Sequence, residues 1–192
     1  MCLQYVCEEV AARQGCTMMD YGTGSGVLAL AAAAMGARHA VGVDKDDEIL
    51  AHAVANAEHN ELAGIAMMVN GREIMPGSSG LYIGNEHRVA TFDVTVANML
   101  PAALVKLSST IAMAVKEETG VLALCGSCRD EVKSVRNAFE KLGIEFTGER
   151  SKIGAAPGAP VKEYVLLMGH RPKRNEEERR AMVDFLSEQA QA

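Results

Sequence analysis

A short glycine loop places the tightest constraint on the fold of this chain. The sequence DYGTGSG, residues 20–26, holds three glycines within five residues and lies between an apolar run and a long alanine-rich run. Glycine allows a backbone to turn with positive φ and to approach a ligand closely. A strand that enters such a loop and a helix that leaves it form the nucleotide-binding crossover of open α/β sheets. The loop therefore predicts an α/β fold with a cofactor at the start of that helix.

The rest of the chain repeats the alternation of strand and helix that this crossover requires. The predicted strands are 17–21, 39–44, 66–69, 92–98, 120–126, 145–150 and 164–169. The predicted helices are 25–35, 46–60, 102–116 and 129–142, and another helix precedes the first strand and ends at Gly15. The fourth and fifth strands are apolar without alternation, as expected where helices cover both faces of a sheet. We predict a doubly wound, mostly parallel sheet of seven strands.

Two segments and a charged tail interrupt this alternation. Residues 71–88 and 154–160 are rich in glycine with serine or proline and are predicted as loops. Residues 175–192 are predicted as a charged amphipathic helix with Met182, Val183 and Leu186 towards one side. We therefore expect one domain over residues 1–172 and a helical extension over residues 173–192, which packs on the domain or binds a partner.

Composition limits the classes of partner. The chain has 192 residues and a formal net charge of −6, and its basic residues cluster only at 170–180, so direct DNA binding is not expected. The longest uncharged apolar-rich stretch, residues 25–37, is shorter than the roughly 20 residues that cross a bilayer, so no membrane partner is expected. The sequence gives no indication of the oligomeric state.

The five cysteines have no disulfide-framework spacing, which indicates reduced thiols and a cytoplasmic location, or an organelle if an upstream segment precedes residue 1. Cys125 and Cys128 form the only close pair. A redox motif has this spacing, and so does a strand-to-helix turn that merely tolerates cysteine. A zinc site would need a second pair, so no metal is predicted.

The glycine loop and a later carboxylate form the candidate cofactor site. Asp44 ends the second predicted strand, where a carboxylate can accept both hydroxyls of a ribose. The dinucleotide fingerprint G-x-G-x-x-G/A would need a small residue at Val27, whereas the form D-x-G-x-G-x-G is the one that methyltransferases use for S-adenosylmethionine. Asp20 is its leading acid, which reaches the methionine amino group or orders the loop. A dinucleotide and a purely structural turn are the alternatives.

Asn98 is the second informative position. It ends the fourth predicted strand in VANMLPAAL, and that strand lies beside the first in this fold, at the switch point where ligands bind. A side-chain amide there can accept from a substrate amine and donate to a cofactor carboxylate. The alternative is an asparagine that caps the helix beginning near Pro101.

These segments together resemble a known family. DYGTGSGVLALAAAAMGARHAVGVDKD, NAEHN, FDVTVANML and LALCG are similar to the PrmA family, the methyltransferases of ribosomal protein eleven of the large subunit, over most of residues 1–170. The resemblance implies the Rossmann-like class I methyltransferase fold. It also implies an enzyme that transfers a methyl group from S-adenosylmethionine to a lysine or N-terminal amine of a protein, a basic ribosomal protein in this family.

The resemblance also assigns the site. By position, the cofactor contacts of the family fall on Gly22, Asp44 and Asn98. With the rest of the loop, the predicted cofactor-binding residues are Asp20, Gly22, Thr23, Gly24, Gly26, Asp44 and Asn98. Asn98 is also the predicted catalytic residue.

The chain departs from the family in one major respect. The family carries an N-terminal substrate-recognition domain and a linker, and this chain begins after both, so it is a catalytic domain only or a diverged protein. Two other classes therefore stay open. One is a methyltransferase-like binding subunit of a ribosomal or assembly complex with weak or no catalysis. The other is a small-molecule or nucleic-acid methyltransferase, although no aromatic residue follows Asn98 to stack on a base.

Overall fold

The computed structural model of the protein describes residues 1–77, 79–83, 86–154 and 161–191. The elements are, in chain order, α1 (Cys2–Ala12), β1 (Thr17–Tyr21), α2 (Val27–Ala34), β2 (His39–Asp44), α3 (Asp47–His59), β3 (Ala66–Asn70), a 3₁₀ turn (Gly71–Glu73), β4 (Ile74–Pro76), β5 (Leu81–Ile83), β6 (Glu86–Ala90), β7 (Val94–Asn98), α4 (Pro101–Lys106), α5 (Ser108–Ala114), β8 (Val121–Cys128), α6 (Val132–Glu140), β9 (Glu145–Gly154), β10 (Lys162–His170) and α7 (Glu176–Gln191).

Seven strands form one sheet in the order β3-β2-β1-β7-β8-β10-β9. Strands β3, β2, β1, β7 and β8 are parallel, and β10 is antiparallel to both of its neighbours. The chain order reverses between β1 and β7, which is where ligands bind in such sheets. The predicted doubly wound, mostly parallel α/β sheet of seven strands is confirmed.

Helices cover both faces of this sheet. Met18 and Met19 are neighbours on β1 and neither has any exposed surface, because their side chains point to opposite faces. Met18 packs in a cluster with α1 and α2, and Met19 packs in a second cluster that includes residues of α4, α5 and α6. Burial of each methionine stabilises the fold by about 1.5–3 kcal/mol.

The predicted helix 102–116 is wrong as a single element. It consists of α4 and α5, and the break lies at Leu107, whose φ of −100° and ψ of 9° end the first helix. The residues that follow are Ser108, Ser109 and Thr110, whose hydroxyl groups compete for backbone hydrogen bonds and so disfavour an uninterrupted helix. The second helix ends at Ala114, and Val115 is extended and bridges to Phe92.

The prediction of a loop over residues 71–88 is also wrong. Strands β4, β5 and β6 form a separate antiparallel sheet in that order. Ile74 and Leu81 are buried and pack in the same cluster as Tyr21, which gives this small sheet an apolar inner face. The glycine and serine content of the segment hid strands that span only three residues in β4 and β5 and five in β6. The other predicted loop, 154–160, lies outside the described residues except for Gly154, which ends β9.

Helix α7 closes the described chain and packs on the domain. Asn175 and Glu178 form a capping box in which the N–H of Asn175 donates to Glu178 Oε2 at 2.8 Å and the N–H of Glu178 donates to Asn175 Oδ1 at 2.9 Å. Met182 is buried and Leu186 is half-buried, but Val183 is 43% exposed. The predicted inward position of Val183 is therefore wrong. The division of the chain at residue 172 stays a prediction.

Candidate functional site

The glycine loop joins β1 to α2 at the carboxyl end of the parallel strands. The N–H groups of Gly22 and Thr23 both donate to the carbonyl of Val43 on β2, at 2.7 and 2.8 Å. Gly22, Gly24 and Gly26 have φ values of +79°, +55° and +85°, which residues other than glycine rarely adopt. The predicted strand, loop and helix are all present, and the loop is fixed against the neighbouring strand.

The three glycines serve different purposes. A Cβ on Gly26 would lie 3.2 Å from Met68 Cε, and a Cβ on Gly22 would lie 2.5 Å from Cγ and Sδ of Met99, so both glycines allow close packing within the protein. A Cβ on Gly24 would meet no heavy atom within 4 Å. Gly24 therefore faces the open space in which a ligand could approach the backbone.

The side chains of Asp20 and Thr23, both within the loop, are buried beneath its backbone. Asp20 is 1% exposed, and its Oδ2 accepts a hydrogen bond from the Thr23 hydroxyl at 2.7 Å. Burial raises the pKa of Asp20 to about 6, although the Thr23 hydroxyl favours the charged form. Of the two roles predicted for this acid, the geometry matches that of ordering the loop, because Thr23 is buried as well.

Asp44 stands at the end of β2, next to the loop. Its Oδ2 accepts the N–H of Gly24 at 3.2 Å, and its Oδ1 accepts the N–H groups of Lys45 and Asp46 at 2.8 and 3.3 Å. A carboxylate has about four lone-pair sites, so these three contacts leave room on Oδ2 for another donor. The half-buried Asp44 is thus held in one orientation and can still accept from a ligand hydroxyl.

Asn98 emerges beside the loop. Strands β1 and β7 pair Tyr21 with Ala97. The residues that follow in the sequence, Gly22 and Asn98, are therefore neighbours. The side chain of Asn98 is exposed and makes no hydrogen bond within the described residues. Helix α4 begins after Leu100 without a side-chain cap, so the structure does not support the alternative role of Asn98 as a helix cap.

Met99 is a site residue that the sequence analysis missed. Its N–H donates to the carbonyl of Cys125 at 3.2 Å, and its side chain covers Gly22. Gly126, with a φ of +98°, packs against the backbone of Met99, because any Cβ there would overlap the carbonyl of Met99. Glycines on β8 and in the loop thus form a slot for Met99, and the slot fixes the backbone next to Asn98. The two glycines were visible in the sequence, but their common neighbour was not.

The cysteine pair and possible metal ligands were the other candidates for a functional site. All five cysteines are free thiols, and Cys125 and Cys128 both lie within β8 rather than in a turn. In the part of the chain that the structure describes, no group of three or more His, Cys, Asp or Glu side chains could hold a metal ion. Among the same residues, no helix combines the length and apolar character needed to cross a membrane.

Sequence comparisons identify relatives of this chain. Residues 1–152 match the family described as Ribosomal protein L11 methyltransferase (PrmA). The Ribosomal protein L11 methyltransferase of Xanthomonas campestris pv. campestris (strain 8004) is 36% identical over 144 residues, which are 73% of this chain and 42% of the relative. The protein of the same name from Dechloromonas aromatica (strain RCB) is 36% identical over 136 residues, which are 70% of this chain and 40% of the relative. The chain spans about two fifths of the length of these relatives.

Solved structures share the fold. A ribosomal protein L11 methylase from Lactobacillus delbrueckii subsp. bulgaricus superposes with a TM-score of 0.62 at 22% identity, over 88% of this chain and 79% of that one. A putative RNA methyltransferase from Pyrococcus horikoshii superposes with a TM-score of 0.66 at 15% identity, over 89% and 83% of the two chains. At these identities the likeness concerns the fold alone. The sequence relationship and the glycine-loop sheet together place this chain in the PrmA family, that of the ribosomal protein L11 methyltransferases, with the fold of class I methyltransferases that use S-adenosylmethionine.

Proposed function

We propose that residues 1–172 form the catalytic domain of a methyltransferase that moves a methyl group from S-adenosylmethionine to a lysine or N-terminal amine of a protein. Ribosomal protein L11, for which the relatives are named, is the proposed substrate. The observation that carries this proposal is the position of the exposed Asn98 amide. It lies beside the glycine loop, in which the backbone at Gly24 is accessible to a ligand.

The residues of the loop fit this cofactor. Asp44 Oδ2 has room for a ribose hydroxyl, and Gly24 allows a ligand to lie close to the backbone. Asp20 and Thr23 support the loop from below through their hydrogen bond, and Gly26 lets the following helix pack closely. When bound, S-adenosylmethionine supplies a methyl group on a positively charged sulfur, which is electrophilic without help from a metal or an acid.

Alignment is the main task of the protein in such a reaction, because the reacting groups must meet in line. We assign this task to Asn98, whose side-chain oxygen can accept an N–H of the substrate amine. Met99 positions Asn98, since it is held between Gly22 and Gly126. A lysine has a reference pKa of about 10.4, and burial of the amine beside Asn98 would favour the neutral, nucleophilic form.

The test is transfer of a tritiated methyl group to purified ribosomal protein L11. We expect measurable transfer by the chain and a loss of at least about tenfold in rate for Asn98→Ala, since the acceptor that orients the amine is removed. Asn60→Ala is the matched control, because Asn60 is an exposed asparagine at the end of α3. Equal rates for Asn98→Ala and Asn60→Ala would contradict the role of Asn98. Transfer to neither L11 nor other ribosomal proteins would contradict the assigned substrate.

A further inference from the structure

A cavity of about 490 Å³ lies between α7 and the end of α6, near the start of β9 and at the other end of the strands from the glycine loop. Its walls are partly apolar, with Ile144, Met182 and Phe185 among them, and Arg174 also lines it. The volume falls within the range of roughly 300–1,000 Å³ that small-molecule sites occupy. The cavity is therefore large enough for a ligand and combines apolar surface with a cation.

Arg174 is buried and incompletely satisfied. The residue is 7% exposed, and its Nη2 donates to the carbonyl of Leu142. Its Nη1 has no hydrogen-bond partner, and no carboxylate forms an ion pair with this guanidinium, in the ranges of the chain that the structure describes. Burial lowers the pKa of Arg174. A buried cation without an ion pair is costly, so an anion beside this guanidinium would be favoured.

The carboxylates nearby are already engaged. Glu117 is shared by two other guanidinium groups, since its Oε1 lies 3.0 Å from Arg171 Nη2 and its Oε2 lies 2.5 Å from Arg179 Nη2. Three carboxylates line the cavity, those of Glu140, Glu145 and Glu178. Glu140 Oε1 lies 3.9 Å from Arg136 Nη1, Glu145 Oε2 lies 3.6 Å from His170 Nε2, and Glu178 Oε2 accepts a backbone N–H at the start of α7. Arg171 and Arg179 thus both pair with Glu117, whereas Arg174 forms no ion pair within the described residues.

We propose that this cavity binds a small organic carboxylate with a short aliphatic body. The carboxylate would accept from the Arg174 guanidinium, because a guanidinium and a carboxylate form the stronger, charge-assisted type of hydrogen bond. The aliphatic body would lie against Met182 and Phe185. Inorganic phosphate has no apolar surface to pack against these two side chains. Both of these residues belong to α7, so an occupied cavity ties this helix to the domain.

The first measurement is calorimetric titration of the full chain with hexanoate, with hexan-1-ol and inorganic phosphate as separate arms. We expect saturable binding of hexanoate, and binding at least about tenfold weaker for hexan-1-ol and for phosphate, because each lacks one of the two recognised groups. Hexanoate should also slow the proteolytic cleavage of α7. Absence of saturable hexanoate binding, or equal binding of hexan-1-ol, would overturn the proposal. Tighter binding of phosphate would replace the aliphatic carboxylate with an inorganic anion.

Variants locate the site. Arg174→Met should abolish hexanoate binding, whereas Lys45→Met should leave it within about twofold, since Lys45 is exposed, follows β2 and does not line the cavity. Glu178→Gln keeps a side chain that can complete the capping box and removes a negative charge from the cavity wall, so it should tighten hexanoate binding about threefold or more. This variant keeps the proposal testable even if Arg174→Met fails to fold. Unchanged affinity in Glu178→Gln would show that hexanoate binds elsewhere.

Discussion

The side chain of Met99 lies directly over Gly22, so that a Cβ added to Gly22 would stand 2.5 Å from both Cγ and Sδ of Met99. This contact joins the end of β7 to the glycine loop across the point where the sheet order reverses. It therefore couples the two parts of the candidate site, the loop and the Asn98 amide, through a single side chain.

The first prediction concerns this contact. Gly22→Ala should destabilise the fold for two reasons, the steric overlap with Met99 and a backbone φ of +79° that costs a residue other than glycine about 1–2 kcal/mol. In a Met99→Ala background only the backbone cost should remain. Urea unfolding of the two single variants and the double variant measures the coupling, which we expect to be at least about 0.5 kcal/mol. Additive effects would mean that Met99 does not occupy this place in solution.

The second prediction separates binding from stability at Gly24. Gly24→Ala should cost about 1–2 kcal/mol of stability through its φ of +55°, and it should weaken S-adenosylhomocysteine binding by more than about tenfold because the new Cβ enters the open space of the site. Gly15→Ala is the control, since Gly15 has a φ of +73°, equally open surroundings and a position before β1. The control should show a similar loss of stability and unchanged affinity. Similar affinities for both variants would place the cofactor elsewhere.

The third prediction concerns Asp44. Asp44→Ala should weaken S-adenosylhomocysteine binding by about 1.5–3 kcal/mol, because hydrogen bonds to a charged group are lost. The exposed Asp47, which pairs with Arg72, provides a control of the same charge in Asp47→Ala. Calorimetric titration compares the two variants with the wild type. The ribose assignment fails if the two variants lose the same amount of affinity.

The fourth prediction concerns cofactor class. NAD should bind at least about tenfold more weakly than S-adenosylhomocysteine, because a pyrophosphate needs a close approach to the start of the helix. The side chain of Val27, the first residue of α2, stands at that position and is 53% exposed. Competition titration gives the ratio directly, and comparable affinities would favour a dinucleotide.

The fifth prediction is a pH dependence from Asp20. The folded pKa of about 6 is above the ordinary value of 3.8 for an aspartate, so the folded state holds this proton more tightly than the unfolded state. The contribution of Asp20 to stability is therefore fully present below pH 3.8 and is lost as the pH rises through 6. Asp20→Asn cannot titrate but can still accept from Thr23. Its stability relative to the wild type should rise between pH 3 and 8, by at most about 3 kcal/mol.

Urea unfolding at several pH values tests this difference. Asp93, whose pKa is lowered mainly by its contacts with Lys116 and Thr17 despite some burial, acts in the opposite direction. Because Asp93 is present in both proteins, its contribution cancels in the comparison. A stability difference that does not change with pH would mean that Asp20 is not protonated more readily in the folded state.

The strands that carry the candidate site follow from local sequence patterns. The bounds 17–21 and 39–44 predicted for β1 and β2 are those of the structure, because each strand contains a short apolar run, residues 18–19 in β1 and 40–43 in β2, and ends at a glycine loop or an acid. The position of Asn98 next to the loop followed from the strand order of this fold class. Local pattern and topology were sufficient for these parts.

Features that depend on distant contacts did not follow from the sequence. The slot around Met99 requires Gly22 and Gly126 to contact the same residue, although 104 positions separate them in the sequence. Leu81 is buried because the small sheet packs on the main core. Its strand, β5, has only three residues, which is too short a pattern to predict which side chain is buried. Arg174 resembles any charged tail residue until the fold buries it.

The topology of the main sheet also has a consequence for folding order. Strands β9 and β10 are consecutive in the chain and pair antiparallel along most of their length, so their contacts are local. The candidate site instead joins Gly22, Asp44 and Asn98 from three parallel strands, and such non-local pairing forms slowly because long loops must close first. The hairpin can therefore assemble while the site is still absent. During refolding, cofactor binding should appear only with the last kinetic phase, so it reports completion of the sheet rather than its initial collapse.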